Sequence, residues 1–289
     1  MKKVIVTLAS GTHSSYLDMS RSRLIEYGEK HNYDVRIINE AVTIDRPPAW
    51  SKILLIQKLL EAYDIVLWID SDAVIIDPST DILNEIDLDK TELALVEHSY
   101  AGQTHPNCGV MLFRRTESIL QFLDLVWEQN DLINHPWWEQ AAILRCLGID
   151  SEVLPIGPGK ITSRILVDVK FLDKKWNAIR QDYPRDNVKI RHFAGELHEI
   201  REYLISSLTL DGSTSQEVFQ RGMRKILEYD SIIAQLDSVI AQRDSVIAQR
   251  DSVIAQRDSV IAQRDTLLTS ISWKLTKPLR GLHKRFLGR

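Results

Sequence analysis

Two aspartates separated by one residue stand directly after an apolar run in the sequence. The run Ile65–Ile69 contains only aliphatic and aromatic residues, and Asp70 and Asp72 follow it without a spacer. Such a run is typical of a buried strand, so both carboxylates are predicted at its carboxyl end. Two hard oxygen ligands this close suit a Mg²⁺ or Mn²⁺ ion that also binds phosphate oxygens. The spacing alone is equally compatible with an ordinary turn, where aspartate is common.

The first 225 residues alternate short apolar runs with stretches of helical period. Strands are predicted at Lys3–Ala9, Asp34–Ile38, Ile65–Ile69, Leu93–Val96, Gly109–Phe113 and Val188–His192. Helices are predicted at Ser20–His31, Ser51–Tyr63, Ser118–Asn130 and Trp138–Leu147. This alternation indicates an α/β fold whose mostly parallel central sheet carries helices on both faces. Ligands of such sheets bind at the carboxyl ends of the strands, where the two aspartates are predicted to lie.

The composition is that of a folded protein. Of the 289 residues, 44% are hydrophobic and 26% are charged, which excludes wholesale disorder. A net charge of −4 gives no footprint for nucleic acid. The cysteines, Cys108 and Cys146, are too few for a disulfide framework or a four-ligand zinc site. No apolar run is long enough to span a membrane, and the start of the chain fits a first strand better than a signal peptide. These features predict a cytoplasmic protein.

A heptad repeat occupies residues 230–271. The sequence DSVIAQR occurs four times without change between Asp237 and Arg264, and a degenerate copy flanks it on each side. A period of seven favours a left-handed coiled coil. With Ile240 at position a, however, position d falls on Arg243, so the apolar seam is poor. Two interpretations follow, a parallel oligomerising stalk with Arg–Asp pairs across chains or a solvated helical spacer.

The chain ends in a basic amphipathic segment, residues 272–289. Leu275, Leu279, Leu282 and Phe286 share one helical face, and Lys and Arg hold the other. This pattern predicts a helix that lies on an anionic membrane surface, on the inner face of the membrane. The alternative is docking of the tail on the acidic remainder of the chain or on a partner helix. The predicted organisation is therefore a domain at 1–225, a helix at 230–271 and a tail at 272–289.

Five further motifs surround the aspartates in a fixed order. They are Trp50-Ser51-Lys52 upstream, and Asn107-Cys108-Gly109, Glu139-Gln140, Trp176-Asn177 and His192-Phe193-Ala194-Gly195 downstream. In this order the motifs resemble glycosyltransferase family 34, whose members include galactosyl-, mannosyl- and xylosyltransferases of the Rossmann-like GT-A fold. The resemblance covers about residues 1–200 and leaves out the repeat and the tail.

The resemblance implies a metal-dependent transfer of a hexose or pentose. Asp70, Asp72 and His192 would hold Mn²⁺, or Mg²⁺, against the diphosphate of a nucleotide sugar. Imidazole suits Mn²⁺ better than Mg²⁺, and the metal would act as a Lewis acid. The donor would be a UDP- or GDP-linked sugar. The acceptor would be a glycan or a lipid-linked sugar, such as one used in bacterial polysaccharide biosynthesis.

The resemblance also assigns residues to the donor, to the chemistry and to the acceptor. The donor-binding residues would be Thr7, Ala9, Ser10, Lys52, Asp70, Ser71, Asn107 and Gly109. Gln140 would lie beneath the anomeric carbon of a retaining enzyme, and Glu139 beside it would bind donor or acceptor hydroxyls. The sequence does not separate these two roles. His98, Trp137 and Trp138 would line the acceptor site, because flat rings stack on sugar C–H surfaces.

One departure and two alternatives accompany this interpretation. Where family members carry a phosphate-binding lysine soon after the histidine motif, this chain has Glu196 and Leu197, and Lys160, Arg164 or Arg201 would have to substitute. The aspartate motif also fits haloacid-dehalogenase-type phosphatases, although there it normally follows the first strand. The third possibility is a non-enzymatic membrane-associated scaffold with an inactive transferase domain.

Overall fold

The structure is a computed structural model, and it describes residues 1–100, 103–151, 154–159, 166–179, 187–195, 198–209, 212–270 and 274–279. The chain divides into two compact units, Met1–Lys225 and Ile226–Arg289. The aspartate motif lies in the first unit and the heptad repeat in the second.

Strands and helices alternate through most of the first unit. The strands are β1 Lys3–Leu8, β2 Asp34–Ile38, β3 Ile65–Ile69, β4 Ala73–Ile75, β5 Leu93–Tyr100, β6 Gln103–Arg114, β7 Val169–Leu172 and β8 Ile190–His192. The helices are α1 Ser14–His31, α2 Ser51–Leu60, α3 Glu117–Trp127, α4 Trp138–Cys146, α5 His198–Thr209 and α6 Gly212–Thr269. Short 3₁₀ turns connect several of these elements.

A six-stranded sheet of order β2-β1-β3-β6-β5-β7 forms the centre of this unit. Strand β1 pairs in parallel with β2 and β3, and β5 pairs in parallel with β7. Strand β6 runs antiparallel to both of its neighbours. The sheet is therefore mixed but mostly parallel, as the sequence predicts.

Helices cover both faces of the sheet because successive side chains of a strand point to opposite faces. On β1, Val4 and Val6 pack in a core with Ile53 and Ile56 of α2. Between them, Ile5 packs in a second core that contains residues of α1. Strand β3 is buried over its whole length, which explains why its sequence is continuously apolar rather than alternating.

A two-stranded antiparallel sheet stands directly after the aspartate motif. Strands β4 and β8 form it, with Ala73 opposite His192. Helix α5 packs against α1 and β4 through a small cluster that contains Tyr16, Val74 and Ile205. This sheet and this helix bring residues from near position 200 to the carboxyl end of β3.

Several elements depart from the sequence prediction. Strands β2 and β3 have the predicted bounds, whereas α1 begins at Ser14 rather than Ser20. The strand predicted at Val188–His192 is shorter and belongs to the small sheet. Strands β5 and β6 extend into a longer hairpin than predicted. Strands β4 and β7 were not predicted, because β4 has only three residues and β7 is largely exposed.

The heptad repeat lies on the long helix α6, as predicted. In the repeats described, the apolar pair is exposed, with Val246 at 63% and Ile247 at 38%. Arg243 pairs with Asp244 of the same helix at 2.8 Å, so this arginine already has a partner within its own chain. Most of the predicted basic tail lies outside the described residues, namely residues 272–273 and 280–289. Among the helices described, none combines the length and apolarity that a membrane crossing requires.

Candidate active site

Three potential metal ligands converge at the carboxyl end of β3. Asp70 and Asp72 follow this strand, and His192 ends β8; each offers a ligand atom within 4.8 Å of the others. The Nε2 atom of His192 lies 3.3 Å from Oδ1 of Asp72 and 3.8 Å from Oδ2 of Asp70. Two carboxylates and one imidazole form a donor set that fits Mn²⁺ and leaves coordination positions for other oxygen ligands.

The second aspartate is held ionised by its neighbours. Asp72 is only 7% exposed, and burial by itself raises the pKa of its carboxyl group. The nearby His192 and Arg201 nevertheless lower this pKa well below its usual range. Arg201, on α5, places Nη1 3.2 Å from Oδ2 of Asp72. A guanidinium therefore stands at the edge of the candidate metal site.

Lys52 lies buried among three acceptors. Its Nζ atom is 3.1 Å from Oδ1 of Asp70, 2.8 Å from Oε1 of Glu139 and 3.1 Å from the carbonyl oxygen of Cys108. Burial lowers the lysine pKa, but the two carboxylates outweigh it and raise the value overall. An ammonium group has three hydrogens, so these three contacts match its full donor capacity. In this arrangement Lys52 orients the carboxylates.

Glu139 and Gln140 differ in what their side-chain oxygens contact. The backbone N–H of Cys108 donates to Oε1 of Gln140 at 3.0 Å. Glu139 is 5% exposed, and burial raises its pKa although Lys52 lowers it. Its Oε2 atom is buried with no hydrogen-bond partner within the described part of the chain. The amide oxygen is thus anchored to β6, whereas the carboxylate retains an uncommitted oxygen.

The backbone of β6 approaches the candidate metal site at Gly109. Its carbonyl oxygen accepts from the N–H of Asp70 at 2.8 Å. A Cβ atom placed on this glycine would lie 2.1 Å from Cε1 of the His192 ring. Only a residue without a side chain therefore permits the imidazole to pack here. Beside it, Asn107 accepts the N–H of Gly109 through Oδ1 at 2.9 Å.

The predicted donor residues of β1 lie at the same edge of the sheet. Thr7 is fully buried, and its Oγ1 has no hydrogen-bond partner among the residues described. Ala9 and Ser10 follow the strand, and the 3₁₀ turn after them carries His13. The Oγ atom of Ser71 lies 3.5 Å from Nδ1 of His13. This contact links the end of β1 to the aspartate motif.

The predicted acceptor residues lie on the β5–β6 hairpin and at the start of α4. His98 is opposite His105 on the hairpin, and the ring of His105 lies 5.2 Å from that of Trp137. Trp138 is 46% exposed and has a φ of +41°. A bulky residue rarely adopts this left-handed conformation, which tends to persist at functional sites. Glu139 follows directly, so the strained residue adjoins the buried carboxylate.

Two residues of the site were missed or left open by the sequence analysis. Asn177 contacts His192 and had no role beyond its place in a motif. Arg201 was one of three candidates for a phosphate-binding cation, and the structure puts it beside Asp72. The other two, Lys160 and Arg164, and the departures Glu196 and Leu197 lie outside the described residues. The signal that the sequence offered for Asn177 was its place directly after Trp176 in the Trp-Asn motif.

The fold is the GT-A fold of glycosyltransferases, in agreement with the prediction. Residues 2–100 match the galactosyl transferase GMA12/MNN10 family, which is glycosyltransferase family 34. The match covers about a third of the chain, including Lys52, Asp70 and Asp72, and confirms the resemblance stated from the motifs. His192, Glu139 and Gln140 lie beyond it, so their roles stay predictions.

Several solved glycosyltransferase structures are similar to this chain to different degrees. One, described as involved in glycosylation of the major capsid of the virus PBCV-1, is 20% identical, with a TM-score of 0.53 over 70% of this chain and 98% of that one. A Streptococcus pneumoniae glycosyltransferase is 15% identical, with a TM-score of 0.46 over 78% and 64%. Mouse xyloside xylosyltransferase 1 is 10% identical, with a TM-score of 0.40 over 68% and 98%. No curated protein sequence matches the chain. Similarity to the first of these structures shows that this chain has the GT-A fold. The family match supports a glycosyltransferase that uses a nucleotide sugar.

Proposed function

We propose that this protein transfers a hexose or pentose from a nucleotide diphosphate sugar to a glycan or lipid-linked acceptor, in a reaction that requires Mn²⁺ or Mg²⁺. The observation that supports this most is the convergence of Asp70, Asp72 and His192 within 4.8 Å at the carboxyl end of β3. The aspartates follow β3 and the histidine ends β8, so the ligands come from distant parts of the chain. When bound, the metal would supply Lewis-acid stabilisation of charge on the departing diphosphate.

The residues around the metal ligands would position the donor. Arg201 provides a fixed cation beside Asp72, where the diphosphate of the donor would approach. It is our candidate for the phosphate-binding cation that the sequence lacks at Glu196 and Leu197. The backbone at Gly109 and the side chain of Asn107 would shape the sugar pocket, because glycine permits close approach.

We further propose that the reaction retains the anomeric configuration. Glu139 and Gln140 are neighbours at the start of α4; Glu139 contacts Lys52, and Gln140 contacts the backbone of β6. Gln140 is anchored through its oxygen to the N–H of Cys108, so its position is fixed before substrate binds. The uncommitted Oε2 of Glu139 is suited to accept a substrate hydroxyl. Trp137 and Trp138 would hold the acceptor by stacking.

Thermal unfolding with a panel of nucleotides and nucleotide sugars tests this function. A ligand at 100 times its Kd that binds only the folded state adds about 2.7 kcal/mol, which corresponds to a rise in Tm of several degrees. We expect this rise with UDP or GDP conjugates in Mn²⁺ and its loss in EDTA. The conjugate with the largest shift identifies the donor.

Two other results would overturn the proposal. Absence of any shift with nucleotides would favour the scaffold with an inactive domain. Trapping of a phosphoaspartate at Asp70 would favour the phosphatase, although Asp70 follows the third strand of the sheet rather than the first.

We also propose that the helix α6 associates with a second copy of itself as a parallel stalk. The apolar pair recurs every seven residues and is exposed in the single chain, for example at Val253 (63%) and Ile254 (39%). Identical repeats in register would bury these side chains against each other. Binding of the segment 272–289 to an anionic membrane surface, and a location on the inner face of the membrane, stay predictions.

Sedimentation equilibrium of the full chain tests the stalk. We expect a dimer or higher oligomer that dissociates when Ile247, Ile254 and Ile261 are all replaced with serine. Replacing the three glutamines two positions after them, Gln249, Gln256 and Gln263, with serine provides the matched control and should leave the oligomer unchanged. A monomeric wild type would support the solvated spacer instead.

A further inference from the structure

Asn177 connects the candidate metal ligand His192 to the backbone of β6. It is fully buried and follows the short 3₁₀ turn Lys174–Trp176. The next residue, Ala178, bridges to β8 and accepts the N–H of His192 at 2.9 Å. Asn177 is thereby held in a fixed position beside the imidazole.

The orientation of the hydrogen bonds follows from one backbone group. The N–H of Gly109 can only donate, so the atom of Asn107 that faces it, at 2.9 Å, must be Oδ1. The same Oδ1 lies 2.9 Å from the side-chain amide of Asn177. Because Oδ1 accepts, the facing atom of Asn177 must be Nδ2. The hydrogen-bond network therefore determines which atom of each side-chain amide is the oxygen and which is the nitrogen.

The same logic fixes the proton on the histidine. With Nδ2 of Asn177 turned to Asn107, its Oδ1 faces Nδ1 of His192 at 2.9 Å. An amide oxygen has no proton to donate, so Nδ1 of the histidine carries the hydrogen. A neutral imidazole then has its lone pair on Nε2, the atom that faces Asp70 and Asp72.

We propose that Asn177 is a positioning residue that fixes the tautomer and the ring orientation of His192, so that Nε2 is presented to the metal. This inference rests on the proposed function and deepens it. Gly109 supports the ring face, since a Cβ atom there would lie 2.3 Å from Nδ1 of His192. A metal-bound histidine usually donates the N–H of its other ring nitrogen to a neighbouring acceptor. Removal of that acceptor typically lowers metal affinity about 10- to 100-fold.

Two substitutions of Asn177 separate this role from packing. Asn177→Leu has a similar shape and cannot accept the Nδ1 hydrogen, so we expect Mn²⁺ affinity to fall about 10- to 100-fold. Asn177→Asp keeps the acceptor and loses the donor to Asn107, so its affinity should stay within a few-fold of the wild type. A residue needed only for packing would give the opposite order, because a buried carboxylate is costlier than a buried leucine.

Mn²⁺ affinity is measured by electron paramagnetic resonance of the free ion, without nucleotide or acceptor. Trp176→Phe is the matched control, because Trp176 is buried in the same turn and its Nε1 has no partner among the described residues. It should lower Tm slightly and leave Mn²⁺ affinity unchanged. Equal Mn²⁺ affinity of wild type and Asn177→Leu would overturn the role of Asn177 and leave the proposed metal centre standing. A wild type that binds no Mn²⁺ would overturn the metal centre itself.

A measurement on the unmodified protein keeps the inference testable if a variant fails to fold. Histidine-labelled full-length protein with saturating Zn²⁺, a diamagnetic probe, gives long-range ¹H–¹⁵N spectra in which the His192 signals are those lost in His192→Ala. We expect the pattern of a ring protonated at Nδ1 and metal-bound through Nε2. Protonation at Nε2 would overturn the assignment.

Discussion

Replacing Asp72 with asparagine should lower Mn²⁺-dependent binding of the nucleotide sugar at least 100-fold while the domain stays folded. The carboxylate is nearly buried between His192 and Arg201, and its pKa lies well below the usual range. It is therefore ionised at any pH near neutrality. Asparagine keeps the shape of the side chain and removes the charge that a divalent cation requires.

The measurement is calorimetric titration with the UDP or GDP conjugate in Mn²⁺ and again in EDTA. Asp70→Asn should behave like Asp72→Asn. Asp77→Asn serves as the control, because Asp77 also follows a strand and pairs with a lysine, Lys189, in place of a metal. That variant should bind the donor as the wild type does. Mn²⁺-dependent binding of normal strength by Asp72→Asn would contradict the metal assignment.

Most of the central sheet, and the position of the two aspartates at its edge, could be predicted from the sequence. Strands β2 and β3 were predicted with their observed bounds, because continuous apolar runs flanked by polar residues leave little ambiguity. The aspartates follow β3 directly, so their location at the carboxyl end required only that β3 be a strand. The order of the surrounding motifs then supplied the family resemblance.

The contacts between distant segments of the chain could not be predicted from the sequence. Strand β4 is too short to show a period, and its partner β8 lies more than a hundred residues away. The contact of Lys52 with Glu139 joins α2 to α4. The sequence pattern of either helix gives no indication that the two residues meet. The hydrogen bonds of Asn177 to His192 and Asn107 require three segments of the chain to meet around one imidazole. Such pairings follow from the tertiary fold, since local propensity fixes elements and not their neighbours.

The contact of Lys52 with two carboxylates leads to a second large effect. Lys52→Met should destabilise the first unit by about 3–5 kcal/mol, because it leaves Glu139 buried without its cation. Asp70 is 27% exposed and Glu139 only 6% as side chains, so most of the cost should arise at Glu139. Donor transfer should also be lost, since both carboxylates lose their orienting group.

A double substitution separates the two consequences. In Lys52→Met/Glu139→Gln the buried charge is gone, so the variant should regain much of the lost stability. Urea unfolding measures this, and the coupling free energy between the two sites should be about 0.5–3 kcal/mol. Transfer should remain lost, because the uncommitted carboxylate oxygen has been removed. Lys58→Met, on the same helix but 75% exposed, is the control and should change stability by about 0.5 kcal/mol or less.

The pH dependence of the single variant gives an independent check with a defined sign. Burial raises the pKa of Glu139 above its ordinary value of 4.5, and Lys52 opposes the rise. Without the lysine, Glu139 of the folded variant binds a proton more tightly than the unfolded chain does. The unfolding free energy of Lys52→Met should therefore increase, relative to Lys52→Met/Glu139→Gln, as the pH falls from neutrality towards 4.5. A constant difference between these two proteins across that range would show that Glu139 is not the buried charge that Lys52 neutralises.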